Sequence, residues 1–242
     1  MRRVGSAAAV AAVAAMAVSP AIAGASSVHV TDDQDGLVRP ALLFDAAAGE
    51  ANRVTIRNIT GGYSVHDTGA TLTAGDGCTK RASDVSCPLF GDQQDPQVDL
   101  GDRNDVASIT WDGGLINGGP GNDNIGLGDP SLHNQNEPSG SNVFGGAGND
   151  RLAGGAMGDS LFGENGNDFL DGKGGGDFLV GGAGNDVIVA GRGSNTIHAG
   201  AGRDTVYANN HRYDVVRCGS GRDIVYADRY DKLVSCEHKH LS

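Results

Sequence analysis

A period of nine residues runs without interruption from Gly145 to Tyr207, and it constrains the fold more than any other feature of the chain. Cut at that period, the segment reads GGAGNDRLA, GGAMGDSLF, GENGNDFLD, GKGGGDFLV, GGAGNDVIV, AGRGSNTIH and AGAGRDTVY. The sixth place is Asp in every unit except one, where Asn195 stands. The eighth is always aliphatic: Leu152, Leu161, Leu170, Leu179, Ile188, Ile197 and Val206. The first six residues are rich in glycine and carry Asn149, Asn167 and Asn185 at the fifth place, which suits a tight turn that needs positive φ angles. The last three suit a short strand, whose alternation sends the eighth side chain to one face and its neighbours to the other. One unit cannot bury that side chain alone, but stacked units can. Two units then make a coil of eighteen residues, with a turn at each edge and two facing parallel sheets. A flexible glycine linker has no reason to keep an aliphatic in phase.

Stacking at eighteen residues lines up charge. Asp150, Asp168, Asp186 and Asp204 fall on one edge, and Asp159, Asp177 and Asn195 on the other. Neighbouring coils lie about 4.8 Å apart, and at an effective dielectric of about 20 two carboxylates at that distance repel by roughly 3–4 kcal/mol. A ladder of them opens the coil unless a cation sits between rungs. Carboxylate and carbonyl oxygens select a hard ion, Ca²⁺, over a soft metal.

With these residues in view, the units resemble the hemolysin-type, or repeats-in-toxin (RTX), calcium-binding nonapeptide GGxGxDxUx. The resemblance implies a parallel β-roll in which the sixth-position Asp and loop carbonyls hold Ca²⁺ between turns. Carried over residue by residue, the ligands are Asp150, Asp159, Asp168, Asp177, Asp186 and Asp204, with Gly146 and Gly148 as examples of carbonyl donors. Asn195, and the lost glycines at Met157, Glu164 and Lys173, depart from the pattern and mark weaker sites. The expected fold is all-β: a right-handed parallel β-roll, with an N-terminal β cap that lacks the repeat.

The phase reaches back beyond Gly145. Asp105 lies eighteen residues before Asp123, and Asp123 thirty-six before Asp159, which adds both to the candidate ligands. Between them, the eighteen residues from Leu127 to Phe144 lose the motif and read as one coil with looped-out turns, closing with Val143 inward. His133 and Glu137 in that loop are the alternative, a functional loop. Beyond Tyr207 the register slips: Asp204 to Asp223 is nineteen, with one extra residue among Ala208 to Tyr213.

The chain opens with Arg2 and Arg3, an apolar run from Ala7 to Val18 and the small-residue site Ala21-Ile22-Ala23, a pattern that reads as a secretory leader over residues 1–23. The run is too short to span a bilayer. Residues 24–52 read as a tail and linker with one strand candidate, Ala41 to Phe44. Residues 53–97 read as a β cap with a cysteine loop, 98–207 as the β-roll and 208–242 as a C-terminal cap. Four cysteines permit three connectivities. Export favours disulfides, and pairing of near neighbours gives Cys78–Cys87 and Cys218–Cys236; zinc is the rival, though no CxxC is present.

Composition agrees. The forty glycines suit a narrow solenoid. Losing the two leader arginines moves the net charge from −12 to −14, which argues against nucleic acid and anionic membrane as partners and for cations. Neither HExxH nor GxSxG occurs, so the expected role is an extracellular calcium binder without intrinsic catalysis. A surface adhesin or spacer with a cell-wall or glycan partner is one alternative, and a polysaccharide-active enzyme is another. Phe162, Phe178 and Phe169 at outward positions are either a binding face or cross-coil stacking.

Overall fold

The computed structural model describes residues 26–30, 42–59, 62–74, 78–88, 96–110, 113–128 and 140–241, all in strands and turns. Residues 1–23, read above as a leader, and His133 and Glu137 lie outside the described residues.

Two sheets face each other. One runs through Gly114–Pro120, Ser141–Ala147, Ser160–Asn165, Phe178–Ala183, Thr196–Gly202 and Val215–Gly221; the other runs through Asn124–Leu127, Arg151–Ala153, Phe169–Asp171, Val187–Val189, Thr205–Tyr207 and Ile224–Ala227. Neighbours within each sheet are parallel and, in the repeat proper, eighteen residues apart, as in Leu161↔Leu179↔Ile197 and Leu152↔Leu170↔Ile188. The eighth-position side chains all point between the sheets. Val143, Leu152, Leu161, Leu170, Leu179, Ile188, Ile197 and Val206 are 0% exposed, and each such burial stabilises by about 1.5–3 kcal/mol.

Two departures from a uniform coil have simple causes. The first is the segment that lacks the motif. A spacing of thirty-six would put Asp123 in the column of Asp159, whereas Gly114 pairs with Ser141 and Asn124 with Arg151, both twenty-seven residues apart. That turn of the solenoid is eighteen residues plus nine, with the excess set between Gly128 and Gly140. Asp123 therefore stacks on Asp150, and Val143 still lands inward. The second is the C-terminal slip. Thr196↔Val215 and Thr205↔Ile224 are nineteen apart, and the extra residue is taken up in the turn where Asn210 N–H donates to Ala208 O (2.8 Å) and His211 has φ 65°.

At the N-terminal end the pairing turns antiparallel. Arg53–Ile59 joins Val106–Thr110 in parallel but Gly62–Asp67 in antiparallel, and Asp84–Pro88 and Thr79–Arg81 follow as a meander. On the other sheet Leu42–Asp45 lies parallel to Gln97–Asp99 and antiparallel to Ser26–Val30. Much of the segment read as tail and linker is thus part of the cap: alternation puts Leu42 and Phe44 in the core with Val28, at 1%, 0% and 0% exposure. Both expected disulfides are present, Cys78–Cys87 in the N-terminal cap and Cys218–Cys236 in the C-terminal one.

The outward aromatics pack along the solenoid. Phe144 stacks on Phe162 at 4.7 Å and 6°, Phe162 meets Phe178 edge-on at 5.9 Å, and the Arg151 guanidinium covers Phe169 at 4.1 Å. Each of these rings has a neighbour on an adjacent turn, the arrangement that cross-coil packing gives.

Inward and outward positions are therefore expected to differ sharply. Leu170→Ala should destabilise by about 2–5 kcal/mol, the range for a buried leucine that leaves a cavity, and Phe169→Ala by clearly less. Urea denaturation in calcium measures both, and equal losses would contradict the assignment of faces.

Candidate metal centre

The turns stack into two columns. In the first, each sixth-position Asp uses one carboxylate oxygen to bind the turn before it. The N–H of Asp105 donates to Asp123 Oδ1 (2.8 Å), that of Asp123 to Asp150 (2.8 Å), Asp150 to Asp168 (2.8 Å), Asp168 to Asp186 (2.8 Å), Asp186 to Asp204 (2.9 Å) and Asp204 to Asp223 (3.0 Å). Asn52 closes the column at the N-terminal end, donating its N–H to Asp105 Oδ1, and Glu237 closes the other by accepting from Asp223 N–H. The fifth-position asparagines do not adopt the positive φ that their residue type allows. They form a second, exposed ladder: Asn149 N–H donates to Asn122 Oδ1, Asn167 to Asn149 and Asn185 to Asn167. The positive angles fall on glycines such as Gly146, Gly148, Gly182 and Gly184, and also on Glu164 (φ 73°) and Lys173 (φ 65°), so the turn shape survives the loss of glycine there.

The other carboxylate oxygen carries the chemistry. Oδ2 of Asp105, Asp123, Asp150, Asp168, Asp186, Asp204 and Asp223 is buried and meets no hydrogen-bond partner among the described residues. A buried acceptor without a donor is costly, and here it recurs on every turn of the column. For Asp123, Asp150, Asp168 and Asp186 the orphaned oxygen borders a small hollow beside a glycine five residues earlier. A Cβ placed on Gly163 would meet Asp168 Oδ2 at 2.4 Å and Gly181 O at 2.5 Å; on Gly181 it would meet Asp186 Oδ2 and Ala199 O, each at 2.4 Å. The hollow beside Gly145 is made the same way, by Asp150 Oδ2 and Gly163 O. A carboxylate oxygen that meets no donor and the carbonyl of the next turn converge there, oxygen donors of the kind a hard divalent cation takes. The carbonyls beside the orphaned oxygens belong to the first position, Gly163, Gly181 and Ala199. The Gly148 carbonyl instead points up the column, where a Cβ on Gly166 would meet it at 1.5 Å, which is why that position is glycine.

The second column is built alike but is largely satisfied from within. Ser141 N–H donates to Asp159 Oδ1, Asp159 to Asp177, Asp177 to Asn195, Asn195 to Asp214 and Asp214 to Asp231. Yet Asp159 Oδ2 accepts from Gly155 N–H (2.7 Å), Asp214 Oδ2 accepts from Asn210 Nδ2 (2.9 Å), and Asn195 presents an amide nitrogen. Asp177 alone among these keeps a free Oδ2. Of the expected ligands, Asp105, Asp123, Asp150, Asp168, Asp186 and Asp204 share the first column, and Asp159, Asp177 and Asn195 the second. Asp214, Asp223 and Asp231 extend the columns beyond the residues chosen from sequence. The nineteen-residue spacings to Asp214 and Asp223 were the available signal.

Burial raises the carboxyls well above the usual range, and the like charges stacked on them add to it. Asp105 and Asp150 rise to about 6, Asp123 and Asp186 to about 7, and Asp168 and Asp204 move the same way. Asp177 rises to about 7 and Asp214 to about 6 in the second column. A column of buried carboxylates thus demands either protons or a cation.

Residues 144–179 and 180–210 match the family described as RTX calcium-binding nonapeptide repeat, four copies. No curated protein matches the chain.

These carboxyls hold their protons more tightly folded than unfolded. Their contribution to the metal-free fold is therefore fully present below about pH 4 and is lost as pH rises through about 6 to 7. In excess chelator, far-ultraviolet circular dichroism is expected to show more strand at pH 5 than at pH 8, and the opposite order would contradict the ladder.

Proposed function

Taking residues 144–210 as RTX calcium-binding repeats in a β-roll, we propose that the protein is an extracellular calcium-binding solenoid whose folding is coupled to the metal and which has no catalysis of its own. The observation that carries this is the unbroken run of orphaned Oδ2 atoms from Asp105 to Asp223, each on a stacked turn. Asp105, Asp123, Asp150, Asp168, Asp186 and Asp204 would hold the ions with the first-position carbonyls, and Asp177 supplies the one comparable oxygen of the second column. Bound calcium supplies positive charge to a stack of buried carboxylates.

What the chain's own residues contribute follows from the register. Each Asp orients its neighbour through the N–H···Oδ1 bond, so the free oxygens are aligned only when the coil is formed. The unfolded chain has no such alignment, and binding free energy then appears as folding free energy. Affinity in the 10⁻⁴–10⁻³ M class of extracellular modules, roughly, is the expectation. The two disulfides and the leader-like start support export.

The two columns make the test specific. Asp186→Asn should raise the calcium concentration needed for half-maximal folding by about threefold or more, because a site loses its only carboxylate. Asp159→Asn, whose Oδ2 is already bonded to Gly155, should shift it much less. Calcium titration followed by circular dichroism and calorimetry reads both; equal shifts, or folding indifferent to calcium, would overturn the proposal.

A further inference from the structure

The second column of this acidic chain carries a cation on three of its turns. Lys173, Arg192 and Arg212 stand on three successive turns, with Arg192 N–H donating to Lys173 O (2.6 Å). Lys173 is paired with Asp171. Arg192 and Arg212 are exposed, and among the described residues the ion pairs are those of Lys173 and of His66 with Asp84, so neither guanidinium meets a carboxylate. Both line one open cleft of about 680 Å³, whose remaining wall is the backbone of Gly175, Gly176 and Gly193 with Ser194 and Asn210.

The carboxylates nearest the cleft, Asp177 and Asp214, lie buried beneath it rather than on its wall. No acidic residue lines the cleft. Asp214 beneath it is 0% exposed, its Oδ1 taking the N–H of Asn195 and its Oδ2 the amide of Asn210, which also donates to Gly191 O. The one position where the repeat replaces Asp by Asn, Asn195, closes the same turn that carries Arg192. That turn has given up a calcium oxygen and carries one unpaired guanidinium, and the next rung, about 4.8 Å further along the stack, carries the other.

We propose that this cleft binds the carboxylate groups of an acidic polysaccharide. A guanidinium fork engages a carboxylate through two parallel hydrogen bonds, and forks repeated once per rung suit a polymer that repeats its carboxylates. The rest of the wall is hydroxyl, amide and peptide groups, partners for sugar hydroxyls rather than for an apolar anchor. The cleft is open to solvent, so a chain can enter and leave. The site rests on the calcium-folded β-roll: its two turns take their shape from the stacked column, and each Ca²⁺ bound elsewhere adds +2 to a net charge of −12 that otherwise repels a polyanion.

Fluorescein-labelled oligogalacturonate, titrated with the full chain in millimolar calcium and followed by anisotropy, tests this. Saturable binding is expected, weakened at least about tenfold in the Arg192→Gln/Arg212→Gln pair, with the circular dichroism spectrum and calcium midpoint unchanged. Should the pair fail to fold, Arg212→Gln alone is read the same way. No binding by calcium-folded protein, equal binding by the variant (calcium bridging two polyanions) or equal binding of labelled neutral dextran would overturn the proposal. Binding of dextran sulfate without binding of oligogalacturonate would overturn the carboxylate assignment. If strand content and arginine-dependent binding both survive chelator, the calcium-coupled fold fails while the site stands.

Discussion

Everything in this protein depends on the Asp side chain at the sixth place of each repeat, because one carboxylate does two jobs. Its Oδ1 fixes the register of the neighbouring turn through a backbone N–H, and its Oδ2 is held, buried and without a donor, beside the carbonyl of the turn on its other side. The first job makes the stack regular. The second makes it unstable without positive charge, since desolvation and the like charges above and below push the carboxyls up to about 6 or 7. The hydrophobic core is thin, one aliphatic per nine residues, and offers little to set against a run of unneutralised charge. Stability and metal binding are therefore one property of the column.

The ends show how such a stack is closed. A bare terminal coil would expose unpaired strand edges and apolar side chains. At the N-terminal end the strands turn antiparallel and bury Val28, Leu42, Phe44 and Val85, and Asn52 stands where another Asp would, giving its N–H to Asp105 Oδ1 without adding a charge. At the C-terminal end the Cys218–Cys236 bridge ties the last turns together. Both caps carry one disulfide, and on a chain-entropy account each contributes roughly 2.5–3 kcal/mol. The staples thus sit where the columns end, at Asn52 and at Glu237.

The period of nine was legible because one position per unit puts a large aliphatic in the core, so Leu152 through Val206 keep phase in the sequence as they do in space. The column to which Asp123 belongs was not legible. Counting in nines cannot tell which column an Asp belongs to until the strand register is known, and that register pairs residues twenty-seven apart here. The inequality of the two columns was hidden for a different reason. Asp159 and Asp168 look alike in sequence, and only the fold of the turn brings Gly155 N–H onto one of them and leaves the other free. The cap from Ser26 to Pro88 carries no repeat, so its alternating strands showed only where apolar residues alternate strongly, as at Leu42 and Phe44.

The most direct measurement is an anomalous diffraction map from crystals in which a lanthanide replaces calcium. The account predicts a column of peaks beside the Asp123, Asp150, Asp168, Asp186 and Asp204 carboxylates, and at most one strong peak on the other column, at Asp177. Peaks of equal strength along both columns, or none between the turns of the first, would contradict it.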